Sequence, residues 1–161
     1  MRAQLNQECI VKANNQFWLE MLAMKLDTMP AAEQSCVSGG HLLGSVALTG
    51  RWRGSIEIRM AGTLAYEATA AMMMQPVETV AEADALDATK EIANMIAGLI
   101  KSSLPRGCSM TVPESAVEPE GFCDLTETAN MLVVAFRHAA GDLMVRVREE
   151  ECLWLEGDCA A

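Results

Sequence analysis

The chain contains no long apolar run. No stretch approaches 18 uncharged apolar residues, which excludes a membrane-spanning helix built that way. The segment Met1 to Asn15 is too polar to hold the apolar core of a targeting signal. Basic residues are scarce: 12 Lys and Arg stand against 22 Asp and Glu, a formal charge of −10. Such a surface repels phosphate backbones and anionic headgroups. It argues against nucleic acid and membrane as partners and leaves proteins with basic patches. The six cysteines (Cys9, Cys36, Cys108, Cys123, Cys152 and Cys159) form no C-x-x-C pair and no regular spacing. Without a signal sequence they read as reduced thiols in a cytoplasmic protein, used as small apolar residues. His41 and His138 lie far apart and neither belongs to a metal-ligand motif. Low-complexity segments and linkers are also missing, so residues 1–161 are expected to form one domain.

What is present suits a packed core: 51% of residues are hydrophobic. Apolar residues at Ile10, Phe17, Trp18, Met21, Leu22 and Leu26 predict a long first helix over Gln4 to Met29, closed by Pro30. Ala31 to Gly40 reads as a loop. Alternation over Leu42–Thr49 and Ser55–Met60 predicts a hairpin across Gly50–Gly54. Ala61 to Met74 reads as a second helix, and about Asp84 to Leu104 as a third, stopped by Pro105 and Gly107. Cys108 to Val117 is a strand interrupted near Pro113. Asn130–His138 and Asp142–Glu149 form a second hairpin, and the last twelve residues a short strand or tail around Trp154. The expected class is α+β, with long helices packed on one face of a mostly antiparallel sheet. Trp18, Trp52 and Trp154 read as packing residues, although Trp52, set between Arg51 and Arg53, also suits an exposed contact. Met72, Met73 and Met74 suit a core or a dimer seam, with an adaptable binding surface as the second reading.

The third helix carries the most informative pattern. At about 100° per residue, Asp87, Glu91, Asn94 and Gly98 fall on one stripe. Ala88, Ile92, Met95, Ile96 and Leu99 gather on the other side. The front offers an acid, an amide and a glycine, with no large side chain to obstruct an approaching surface. Taken alone, polar residues at this spacing usually mean only a solvated helix face. An asparagine inside a helix is nonetheless mildly unfavourable, which tilts the balance toward a role.

The run Asp87-x3-Glu91-x2-Asn94-Met95-Ile96-Ala97-Gly98 resembles the signature of the CheC/CheX/FliY family of chemotaxis phosphatases, and of its CheX branch in particular. Pro113 supplies the signature's final proline at a slightly short spacing. The glycine-containing first hairpin, the long first helix and the C-terminal hairpin fall where that family has them, so the resemblance spans about residues 4–150. CheC-type members carry two copies of the motif and CheX-type members one. The first helix here has Val11 where a second copy, starting from Glu8 or ending at Asn14, would need Asn or Glu. One site per chain is therefore expected.

The resemblance implies a phosphatase acting on the phospho-aspartate of a CheY-like response regulator, with the chain acting as a homodimer whose sheets join across the interface. The regulator would bring its own Mg²⁺, so no cofactor is expected on this chain. Asn94 would hold the attacking water, since a carboxamide both donates and accepts. Glu91 would pair with the regulator's lysine. Asp87 and Gly98 would contact the partner, the glycine by letting its backbone come close. A module of the same fold that binds a receiver without hydrolysis is the alternative. A flagellar-switch component related to FliY ranks lower, because its second domain would not fit within 161 residues.

Overall fold

The computed structural model describes residues 5–30, 40–118 and 129–150. Asn6 caps the first helix by accepting the Cys9 amide at 3.0 Å. Helix α1 runs Gln7–Gln16 and then widens into a π-helical turn, Phe17–Met21. The wider turn slips the helical phase, so Phe17 and Trp18, adjacent in sequence, both point into the core. Their rings meet edge to face with centroids 5.4 Å apart. The indole Nε1 of Trp18 donates to Oδ1 of the buried Asn14 at 3.1 Å. Ala23 then takes a left-handed φ of +52°, and the chain turns into a short strand, β1 Asp27–Thr28. The single helix expected over Gln4 to Met29 therefore ends at Met21. Leu19 and Met21, apolar in sequence, face solvent as a result.

Strands β2 (His41–Gly50) and β3 (Gly54–Ala61) form the first hairpin in the expected place. Trp52 in its turn is a packing residue, only 2% exposed. It lies under Gly54, where a Cβ would fall 2.5 Å from the indole. Helix α2 spans Gly62–Met73, and a 3₁₀ turn at Val77–Thr79 leads to α3, Glu82–Lys101. Strands β4 (Cys108–Met110) and β5 (Glu114–Glu118) are split at Pro113, as its missing donor requires. Strands β6 (Met131–His138) and β7 (Gly141–Glu149) make the second hairpin.

The sheet order is β1-β6-β7-β3-β2-β4, with β5 also on β2, and every pairing is antiparallel. Alternate residues of the central strands, among them Val46, Ile56, Ile58, Val134, Phe136 and Val145, form one buried face. All three helices pack on that face, giving the expected α+β layering. The opposite face carries charge across its strands. Arg146 pairs with Glu57, and Arg59, 6% exposed, is held by Glu118 through two bonds of 2.5 and 3.0 Å.

Cys9 is half-buried and Cys108 buried, and neither is in a disulfide. The other four cysteines, the 31–39 loop and the C-terminal tail with Trp154 lie outside the described residues. No described helix is long and apolar enough to cross a membrane.

Candidate functional site

Helix α3 is seated by small residues. Its buried side consists of Ala85, Ala88, Thr89, Ile92, Ala93, Ile96, Ala97 and Ile100. The alanines allow close approach, and the Thr89 hydroxyl is satisfied internally by donating to the Ala85 carbonyl at 2.7 Å. Beneath them lies Gly44 of β2. A Cβ at Gly44 would stand 2.8 Å from the Thr89 carbonyl oxygen and 2.9 Å from Cβ of Ala93. Glu82 and Asp84 in the first turn and Lys101 in the last complement the helix dipole.

With that side fixed, the opposite stripe faces outward. Asp87, Glu91 and Gly98 are exposed and Asn94 is half-buried, so the four predicted residues do share one face. Residues three apart on a helix have Cβ atoms about 5–6 Å from each other. Glu91 and Asn94 therefore present a carboxylate and a carboxamide side by side. Neither side chain makes a hydrogen bond or ion pair among the described residues, so their full donor and acceptor capacity is available. Asp87 differs. Its carboxylate lies 3.4 Å from the Lys90 ammonium, an exposed pair one turn along the helix. Lys90 was not singled out in the sequence, although its i,i+3 spacing from Asp87 was the available signal.

Gly98 has no structural reason to be glycine. A Cβ there would meet nothing within 4 Å, in contrast with Gly44, Gly54 and Gly141. Glycine inside a helix costs about 0.5–1 kcal/mol relative to alanine. The fold carries that cost and gains no packing from it. Pro113 sits at the β4–β5 break, away from the stripe in sequence and half-buried.

Among the described residues the site is thus an exposed helix face. Among the described residues no group of His, Cys, Asp or Glu is arranged to hold a metal ion. His41 is buried in β2, and His138 at the end of β6 accepts the Ala140 amide on Nδ1 at 3.0 Å. An acid and an amide on an open surface can orient a water or grip a complementary group. Held on a rigid helix, both can act on a docked group by positioning, which is a large part of catalysis.

Residues 42–137 match the family model of the chemotaxis phosphatase CheX. No curated protein matches the chain in sequence. Solved structures share its fold. The chemotaxis protein CheX from Vibrio vulnificus is 18% identical, with a TM-score of 0.74 over 93% of this chain and 100% of that one. A CheC-like superfamily protein from Shewanella sp. PV-4 is also 18% identical, with a TM-score of 0.75 over 94% and 100%. The CheX–CheY–BeF3–Mg²⁺ complex from Borrelia burgdorferi gives 18% and 0.70, over 90% of this chain and 97% of that one.

Proposed function

The chain belongs to the CheX family of chemotaxis phosphatases, and on that footing we propose that it removes the phosphoryl group from the phospho-aspartate of a CheY-like response regulator. An acyl phosphate has a good leaving group, so the catalyst needs chiefly to place a water in line with the phosphorus. Asn94 holds that water through its carboxamide. The water oxygen bonds to phosphorus, the bond to the aspartyl oxygen breaks, and its electron pair stays on the regulator's carboxylate. The proton of the water leaves with inorganic phosphate. The regulator carries the Mg²⁺ that neutralises the phosphoryl oxygens. Glu91 pairs with the regulator's lysine and fixes the docking register. Asp87, already tied to Lys90, and Gly98 contribute to contact and not to chemistry. The protein acts in the cytoplasm as a homodimer with sheets joined across the interface, an arrangement that sedimentation would test.

The observation that carries this reading is the Glu91–Asn94 pair, unengaged and outward-facing on α3. The Borrelia complex, similar in fold, supports the choice of partner. The test follows phosphate loss from a phosphorylated CheY-like receiver with Mg²⁺, with and without the protein. Wild type accelerates the loss, and Asn94→Ala reduces that acceleration about 100-fold while the circular dichroism spectrum is unchanged. Complex formation with no acceleration would favour the second reading, a receiver-binding module of the same fold.

A further inference from the structure

Two cavities of about 620 and 560 Å³ lie end to end along α2, sharing Glu67 and Val77. One wall is the α2–α3 connection at Pro76 and Val77. The other is the β6–β7 turn at Ala139 and Ala140, held in shape by the His138 Nδ1 bond to the Ala140 amide. From Gly62 to Met74 the groove follows the helix for roughly 18 Å, at 1.5 Å per residue. Its floor is small and apolar at Ala70 and Ala71. The methionine run divides: Met72 packs against the core, whereas Met73 is 46% exposed and Met74, which lines the groove, 93%. Met74 also adopts a left-handed φ of +53°, where glycine or asparagine normally ends a helix. A methionine held there is strained and exposed, and it makes an adaptable apolar rim.

The groove's charge is of one sign. Glu67 and Glu78 line it, both exposed, and no Lys or Arg among the described residues does. Neither glutamate has an ion pair among the described residues. A second copy related by a two-fold axis would set these same glutamates against each other at this groove, and anionic lipid would be repelled in the same way. An apolar floor with carboxylates on the rim fits a basic amphipathic helix.

We propose that the α2 groove docks an amphipathic helical segment of another protein, one that sets Lys or Arg between apolar side chains. Glu67 and Glu78 take the basic residues, and Met74 closes over the apolar ones. The groove shares no residue with the α3 stripe.

The probe is a fluorescein-labelled 14-residue helical peptide of leucine and lysine, followed by anisotropy at about physiological salt. The full chain is expected to bind it with a Kd of about 10 µM. Amide shifts should concentrate on α2 and the β6–β7 turn. Glu67→Lys and Met74→Gly should each weaken binding about tenfold. Glu114→Lys, the same charge change on β5, should leave binding within about twofold. Receiver dephosphorylation should be unchanged in Glu67→Lys. Four results would each overturn the proposal: no binding, equal binding of a peptide with glutamate for lysine, equal loss in Glu114→Lys, or shifts centred on α3.

Discussion

Gly44 of β2 and Thr89 of α3 touch backbone to backbone: a methyl group at the Gly44 Cβ position would lie 2.8 Å from the Thr89 carbonyl oxygen. The contact sets the height of α3 above the sheet and so the height of the face on its other side. Gly44→Ala must push the helix away or bend the strand. It should cost about 1–3 kcal/mol, read by urea unfolding. It should also lower receiver dephosphorylation, although it touches no residue of the stripe.

Gly98→Ala should separate stability from function. No neighbour opposes the new methyl, so the variant gains about 0.5–1 kcal/mol in urea unfolding. Affinity for a beryllium-fluoride-activated receiver, measured by titration calorimetry, should fall. A variant that is more stable and docks as well as wild type would remove Gly98 from the contact.

Glu91→Gln keeps the shape of the side chain and deletes its charge. If Glu91 meets a lysine of the receiver, affinity drops about tenfold. Wild-type docking should then weaken as salt is raised, while docking of the glutamine variant responds less. Equal salt dependence in the two proteins would rule out the charge pairing.

Trp18→Phe probes the π-helical turn. It removes the donor to Asn14, whose side chain is fully buried and whose Nδ2 has no partner among the described residues. Leaving a buried amide with neither end satisfied costs about 1–3 kcal/mol. The double variant Asn14→Leu/Trp18→Phe removes the orphaned group and should recover part of that loss. Thermal unfolding of the two single variants and the double variant gives the coupling.

The sequence was most legible where periodicity is enforced by a single buried face. Alternation in β2 and β3 located the first hairpin, because each inward side chain meets the same core. The stripe at Asp87, Glu91, Asn94 and Gly98 followed from helical spacing alone. The first helix was overrun, because Met21, Leu22 and Leu26 continue a 3.6-residue pattern in sequence. A π-helical turn shifts the phase by one residue and puts Met21 in solvent. Trp52 was ambiguous between arginines because only the folded turn brings Gly54 over its ring. The seat of α3 on Gly44 was hidden for a similar reason: it joins residues far apart in sequence, and a glycine in a strand does not name its neighbour.

The sheet is built from two hairpins, each with a short turn, and they are joined by the pairing of β3 with β7. The whole of α2 and α3 lies in the chain between Ala61 and Gly141 that this join closes. Short hairpins form in microseconds, whereas closing a long loop carries a larger entropy cost and comes later. Helix α3 is thus carried inside two overlapping closures of the sheet, β3 with β7 and, longer still, β1 with β6. An unseated helix is only marginally stable, so in pulse-labelled refolding the amides of Glu91 to Gly98 should reach full protection only as β3 meets β7, and the face becomes presentable when the two halves of the sheet join.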